Sequence, residues 1–177
     1  MACAISPGGV QRHKPPVNPL RAAVPSPEAR VNYRIVAVSD HPEMAPAVAE
    51  WLLDAFRHDL SPSHDELTAQ LLAQKAPSEE TFILLADGVP VGTASLVKND
   101  LPSRPDLTPW LASVLVRPQF RGKGYSTPLV RHVEAAATAQ AVKDLWLYTW
   151  SAEPLYARLG GSASVWSAIP TGTSRSC

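Results

Sequence analysis

Gln119-Phe120-Arg121-Gly122-Lys123-Gly124 joins two segments of different periodicity, and the reading of that junction decides the fold. Before it, Trp110-Leu111-Ala112-Ser113-Val114-Leu115-Val116 has the length and the β-branched and aromatic bias of a buried strand. After it, Leu129, Val133 and Ala136–Ala137 fall on one face at helical spacing. A strand that turns through two glycines into a helix leaves the first N–H groups of that helix unpaired. Those donors, with the positive end of the helix dipole, suit an anion. Glycine lets the backbone approach a phosphate closely because no Cβ intervenes, and Arg121 and Lys123 add positive charge there. Pro128 fits the first helical turn, where the N–H it lacks has no partner to lose. Taken alone, the stretch also reads as an ordinary strand–turn–helix junction with solvated basic side chains. Two related patterns do not fit. The dinucleotide fingerprint needs a third Gly or Ala where Ser126-Thr127 stand, and the P-loop needs Lys where Tyr125 follows Gly124.

Downstream, Asp144-Leu145-Trp146-Leu147-Tyr148-Thr149-Trp150 reads as a further strand. Ser151-Ala152-Glu153-Pro154-Leu155-Tyr156-Ala157-Arg158-Leu159-Gly160 then reads as a short helix, with Ser151 as N-cap, Pro154 in the first turn and Gly160 as the stop. With Q-x-x-G-x-G on a strand-to-helix turn, then a strand, then L-Y-x-x-L-G, the chain resembles the GCN5-related N-acetyltransferase (GNAT) family. The resemblance runs from about Tyr33 to Gly160, and its strong motifs lie between Trp110 and Gly160.

Upstream, residues 1–32 are rich in Pro, Ala, Ser and Gly without a hydrophobic period, which predicts a disordered arm. The folded domain is expected over 33–177. Tyr33-Arg34-Ile35-Val36-Ala37-Val38 reads as a strand, and Met44, Val48, Trp51, Leu52 and Phe56 mark one face of a helix. Ser61-Pro62-Ser63 breaks that helix, and Leu67, Leu71 and Leu72 mark a second one. Two apolar runs, Thr81–Ala86 and Val91–Val97, flank Asp87-Gly88-Val89-Pro90 as a hairpin. The order β-α-α-β-β-β-α-β-α predicts an α/β layered domain with a mixed sheet. The resemblance implies the same order in a mostly antiparallel sheet flanked by helices. It also implies that the strands at 110–116 and 144–150 splay apart to admit pantetheine.

The composition excludes several function classes. Lys+Arg and Asp+Glu are both 16, so no net field draws the chain to nucleic acid or to an acidic membrane. Cys3 and Cys177 form no disulfide framework, and no Cys/His cluster has zinc-ligand spacing, so no metal is assigned. No apolar run reaches the roughly 20 residues of a membrane span. The N-terminus lacks the apolar stretch of a secretory signal, and the expected location is cytoplasmic.

The resemblance implies an acetyl-coenzyme-A-dependent N-acetyltransferase acting on a primary amine of a small molecule or a protein. The rival expectation is a catalytically weak or inactive acyl-coenzyme-A-binding protein. Leu115 and Val116 are the expected main-chain partners of the co-substrate. Gln119 and the backbone of Arg121, Gly122, Lys123, Gly124, Tyr125 and Ser126 would hold its pyrophosphate. Tyr156 is the expected acid for the leaving thiolate, because a phenol of pKa near 10 stays protonated at neutral pH. Relatives often carry a glutamate on the strand before the phosphate turn, and Leu111-Ala112-Ser113-Val114 offers no carboxylate. Asp106 is the candidate base, with Glu79 and Glu80 as alternatives acting through a water.

The C-terminal segment departs from the family. Gly161 takes the aromatic position after L-G, and Ser164–Ile169 offers one strand where relatives have a hairpin of two. A shortened hairpin predicts an exposed sheet edge, and with it lower stability or a homodimer that covers the edge.

Overall fold

The computed structural model of the chain describes residues 2–5, 32–58, 61–73, 78–149, 152–160 and 162–163. In chain order the elements are β1 (Ala2–Ile5), β2 (Tyr33–Ala37), α1 (Ala45–Phe56), α2 (His64–Ala73), β3 (Glu80–Ala86), β4 (Val89–Val97) and β5 (Trp110–Val116). They continue with α3 (Ser126–Ala139), β6 (Leu145–Tyr148), α4 (Glu153–Arg158) and β7 (Ser162–Ala163). From β2 to α4 this is the order that the apolar periodicity predicts.

Local chemistry explains the boundaries. Ala45, Val48, Ala49, Leu52 and Leu53 are the buried stripe of α1, at the spacing of one helix face. Phe56, expected on that face, is instead exposed. At the start of α2, Glu66 reaches back to the Ser63 N–H (2.8 Å) while its own N–H bonds the Ser63 hydroxyl (3.3 Å), a reciprocal cap. Asp87 and Gly88, both with positive φ, close the β3–β4 hairpin.

The sheet runs β2-β3-β4-β5-β6-β1-β7. Every pairing is antiparallel except β5 with β6. Strand alternation sends successive side chains to opposite faces, and each face has its own core. On one face, Phe82, Leu84, Leu96, Leu111 and Leu147 pack with Leu129, Val130 and Val133 of α3 and Tyr156 of α4. On the other, Ile83, Leu85 and Leu115 pack with Val48 and Leu52 of α1 and Leu71 of α2. A smaller cluster centres on Trp110 and Leu107, with Leu101, Trp146 and Tyr148 against them. Among the described residues no helix is long and apolar enough to cross a membrane.

The ends of the chain add two strands to this order. The expected arm at 1–32 begins with a strand: Ala2–Ile5 pairs antiparallel with β6, in register from Ala2↔Tyr148 to Ile5↔Leu145. The physical reason is that the outer edge of β6 would otherwise present unpaired backbone groups, and an apolar Ala-Cys-Ala-Ile run supplies partners. Among the described residues, β7 pairs antiparallel with β1. The outer edge of β6 is thus paired over Leu145–Tyr148. Residues 6–31 and the strand expected at 164–169 lie outside the described residues.

Candidate active site

The site is built where β5 stops following β6. The parallel pairing joins only Trp110↔Trp146 and Leu111↔Leu147. Above Leu111 the strand keeps its pairing with β4, across an irregularity: Ser95 faces Ala112 and Thr93 faces Leu115, so β5 carries one extra residue. That extra residue makes a bulge, which bends a strand and increases its twist. Ser113 sits in it with φ 55°, in the left-handed region. The bulge begins where the β5–β6 pairing ends, at the level where the resemblance implies that the two strands part.

Gly92 of β4 faces this upper half. A Cβ there would lie 2.6 Å from the Leu115 carbonyl oxygen and 3.1 Å from Leu129 Cδ1. Only glycine lets β4, β5 and α3 approach so closely. Leu115 is buried on the α1/α2 face, while its neighbour Val116 packs toward α3. The two residues expected to meet the co-substrate thus reach opposite faces of the sheet.

The glycine turn follows. Pro118–Phe120 forms a short 3-10 turn, in which the Phe120 N–H bonds Arg117 O at 2.8 Å and the Arg121 N–H bonds Pro118 O at 3.3 Å. Gly122 and Gly124 both have φ 78°, with open space where a Cβ would stand. Among the described residues, no acceptor within the chain takes the N–H of Gly122, Lys123, Gly124 or Tyr125. Unpaired donors at the start of a helix suit an anion, as the sequence reading expects of this turn. The Tyr125 side chain is buried in the α3 core, so only its backbone faces the turn. Pro128 stands in the first turn of α3 as expected.

Gln119 and Arg121, expected at the pyrophosphate, also line a cleft of about 370 Å³ between α1 and the end of β5. From α1 it receives Glu50, Trp51, Asp54 and Ala55, and from β5 and its extension Leu115 and Arg117. The Arg117 guanidinium lies 4.8 Å from the Trp51 ring centre and 5.6 Å from that of Phe120, and donates to Pro90 O at 2.8 Å. Arg121 Nε donates to Val116 O at 3.0 Å. The sequence reading placed Trp51 on the α1 face but did not single out Glu50, Asp54 or Ala55. The signal was present as Glu50-Trp51 and Asp54-Ala55 one helical turn apart, on a patch beside the buried stripe.

The candidate acid and bases are scattered. Tyr156 is 6% exposed and sits in the α3/α4 core with Tyr125 and Leu111. Asp106 is exposed and held by Arg104 in a two-point pair, at 2.6 and 2.8 Å. That hydrogen bonding holds its carboxyl below the usual range, which weakens it as a base. Glu80 is buried at the start of β3, with Oε1 accepting the Thr81 N–H at 2.9 Å. Glu79 accepts the Lys98 N–H at 3.0 Å. The sequence reading overlooked Asp100, in the same loop as Asp106. It is exposed as a residue, yet desolvation raises its carboxyl pKa. Tyr148, one residue past the last β5–β6 pair, has its phenol pushed up by desolvation and further by the Asp100 charge.

The model of the Acetyltransferase (GNAT) family matches residues 45–160, from α1 to the end of α4. The chain belongs to the GNAT acetyltransferase family. Solved structures agree in fold. A GCN5-related N-acetyltransferase from Ralstonia eutropha is 22% identical, with a TM-score of 0.58 over 78% of this chain and 97% of its own. Glucosamine-6-phosphate N-acetyltransferase from Arabidopsis thaliana is 14% identical, with a TM-score of 0.60 over the same shares. A predicted acetyltransferase from Clostridium acetobutylicum, in a structure with acetyl-CoA, is 18% identical, with a TM-score of 0.57 over 78% of this chain and 95% of its own. No curated protein matches the chain. At these identities the likeness is one of fold, and the GNAT assignment rests on the family match.

Proposed function

We propose that this GNAT protein transfers the acetyl group of acetyl-CoA to a primary amine by direct attack. The observation that carries the reading is the run of unpaired N–H groups from Gly122 to Tyr125, at the mouth of the β5–β6 splay. A pyrophosphate fits these donors and the dipole of α3, with Arg121 and Lys123 supplying charge. Ser126 extends the same turn into the helix. The main chain of Leu115 and Val116 would pair with the extended pantetheine, and an N–H of the bulged segment would face the carbonyl oxygen as charge develops.

In the transfer, the amine nitrogen forms a bond to the carbonyl carbon and the carbon–sulfur bond breaks. The amine loses a proton and the thiolate gains one. Tyr156 is the proposed donor to sulfur. Of the loop carboxylates, Asp106 is committed to Arg104, and Asp100, whose charge reaches Tyr148 at the fork and whose pKa desolvation raises, is the proposed proton acceptor. Tyr156→Phe should lower kcat and leave acetyl-CoA affinity nearly unchanged.

The test is thermal unfolding with and without acetyl-CoA, with Gly122→Glu as the comparison. Ligand at about a hundred times its Kd should stabilise the native state by roughly 2.7 kcal/mol. A Cβ at Gly122 meets no protein atom within 4 Å, but the left-handed φ of 78° strains any side chain there, at about 1–2 kcal/mol, so circular dichroism first checks that the variant is folded. No stabilisation of the folded wild type would sink the proposal. Stabilisation without thiol release across a panel of amines would leave an acyl-CoA-binding protein.

A further inference from the structure

We propose that β1 is a positioning strand for the reaction: paired with β6 on one side and β7 on the other, it holds β6 at the fork and ties it to the end of α4. The inference rests on the acetyltransferase reading above. It assigns a role to a segment that the family match, over residues 45–160, does not include.

The hold on β6 comes first. Its parallel pairing with β5 covers two positions, Trp110↔Trp146 and Leu111↔Leu147. Its antiparallel pairing with β1 covers all four, from Ala2↔Tyr148 to Ile5↔Leu145. Antiparallel pairs are also the more stable per residue. At Tyr148, one residue past the last β5 pair, the register among the described residues is with Ala2 alone. That is the level at which β5 enters its bulge. Without β1, β6 would be an edge strand fastened at two positions, with nothing to fix its direction beyond Leu147. Pairing along its whole other edge keeps it extended through the level where β5 departs.

The same strand reaches past β6. Cys3↔Ala163 and Ala4↔Ser162 pair it with β7, which follows α4 in the chain. Tyr156 of α4 packs in one core with Leu145 and Leu147 of β6. The strand that bears Tyr148 and the helix that bears the proposed acid are thus joined twice, by side chains in the core and by backbone through β1. Asp100, the proposed proton acceptor, acts electrostatically on Tyr148. Loosening β1 therefore shifts Tyr156 and the surroundings of Asp100 together. The glycine turn at the start of α3 makes no pairing with β1 and keeps its geometry. Turnover should depend on β1 more than acetyl-CoA affinity does.

The experiment uses two variants of the full chain. In Cys3→Pro/Ala4→Pro, neighbouring residues whose N–H groups point to opposite sides of the strand lose one ladder donor toward β6 and one toward β7. Amide exchange at Trp146–Tyr148 should quicken about tenfold or more, with β3 and β4 unchanged. At a temperature where the variant is fully folded, kcat should fall about tenfold with acetyl-CoA affinity unchanged, because reacting groups are misplaced. A strand that only adds stability would lower the melting temperature and leave that kcat alone.

The second variant strengthens the same link. Residues opposite each other in an antiparallel ladder have Cα atoms about 4.5–5.5 Å apart, within the range of a disulfide. Ala163→Cys/Cys177→Ser should therefore form a bond to Cys3 within one chain, the two thiols giving their hydrogens to glutathione disulfide. The oxidised form should exchange its β6 amides more slowly than the reduced form and keep the wild-type kcat. Unchanged β6 exchange and kcat in the folded proline variant, or no intrachain bond in the cysteine variant, overturns the proposal. β6 amides that respond to both variants, in a chain that does not bind acetyl-CoA, would retain the hold of β1 on β6 and sink the transferase reading. Turnover indifferent to both variants would do the reverse.

Discussion

From Trp110 to Leu111, β5 is paired on both sides, to Val97 and Leu96 of β4 and to Trp146 and Leu147 of β6. From Ser113 to Val116 it is paired with β4 alone, through a bulge, and three of its four residues are only half-buried. The lower half contains Trp110, fully buried and bonded through its indole N–H to Leu107 O at 2.7 Å. The upper half holds a non-glycine residue at positive φ and leads into a turn of unpaired donors. One strand thus anchors the sheet at its start and opens it at its end. On the proposed function, acetyl-CoA would be held at the half that gives up backbone pairing, beside a half whose pairing is complete.

The largest effect should come from breaking the anchor. Trp110→Ala removes a fully buried indole and its hydrogen bond, at a cost of about 3–5 kcal/mol. That is a large part of a stability of about 5–15 kcal/mol, and urea unfolding measures it. A loss below about 1 kcal/mol would mean that the lower half is not the anchor.

Next in size is the chemistry at the fork. Tyr148 stands just beyond the last paired residue and feels Asp100. A base must be deprotonated to act, and desolvation raises the Asp100 pKa. Activity should therefore fall as pH drops through that raised value and hold above it. Asp100→Asn should lower kcat by about a hundredfold and abolish that acid limb. Asp106→Asn should change little. A variant that keeps the wild-type acid limb would remove Asp100 from the mechanism.

Most of this comparison was legible before the structure, and the reasons are local. The strand at Trp110–Val116, the glycine turn and α3 follow from apolar spacing, Gly φ freedom and Pro128, all written within about twenty residues of chain. The bulge at Ser113 was not legible, because one extra residue in a strand leaves the apolar run intact and is defined only against β4. The β1 strand was hidden for a similar reason. Four residues in a Pro-rich segment carry no period, and their pairing is with β6, far along the chain. The α1 cleft needed the helix to cross to the end of β5, which its own sequence does not specify.

Gly92→Ala tests how closely the upper half is held to β4. The new Cβ would meet the Leu115 carbonyl at 2.6 Å, which is backbone and cannot swing aside. A cost of about 1–3 kcal/mol is expected, with weaker acetyl-CoA binding because Leu115 has to move. Gly88→Ala, in the hairpin of the same strand, meets nothing within 4 Å. It should show backbone strain alone, with affinity unchanged.

The smallest expected change in stability is the most discriminating for the bulge. Ser113→Gly relieves a left-handed residue, a gain of order 1 kcal/mol. Glycine also gives the unfolded chain more freedom, a loss of about 0.4–1 kcal/mol. The two effects nearly cancel, so the unfolding midpoint should barely move. Function should not be so indifferent. With serine the bulge has few backbone alternatives, and the N–H groups above it are held in one direction. With glycine the same segment can turn, and groups aimed at a developing charge lose their fixed aim. The expected result is a lower kcat at unchanged stability and unchanged acetyl-CoA affinity. An equal kcat would mean that the pairing with β4, through Thr93 and Gly92, sets the direction of the upper half without help from the strained residue.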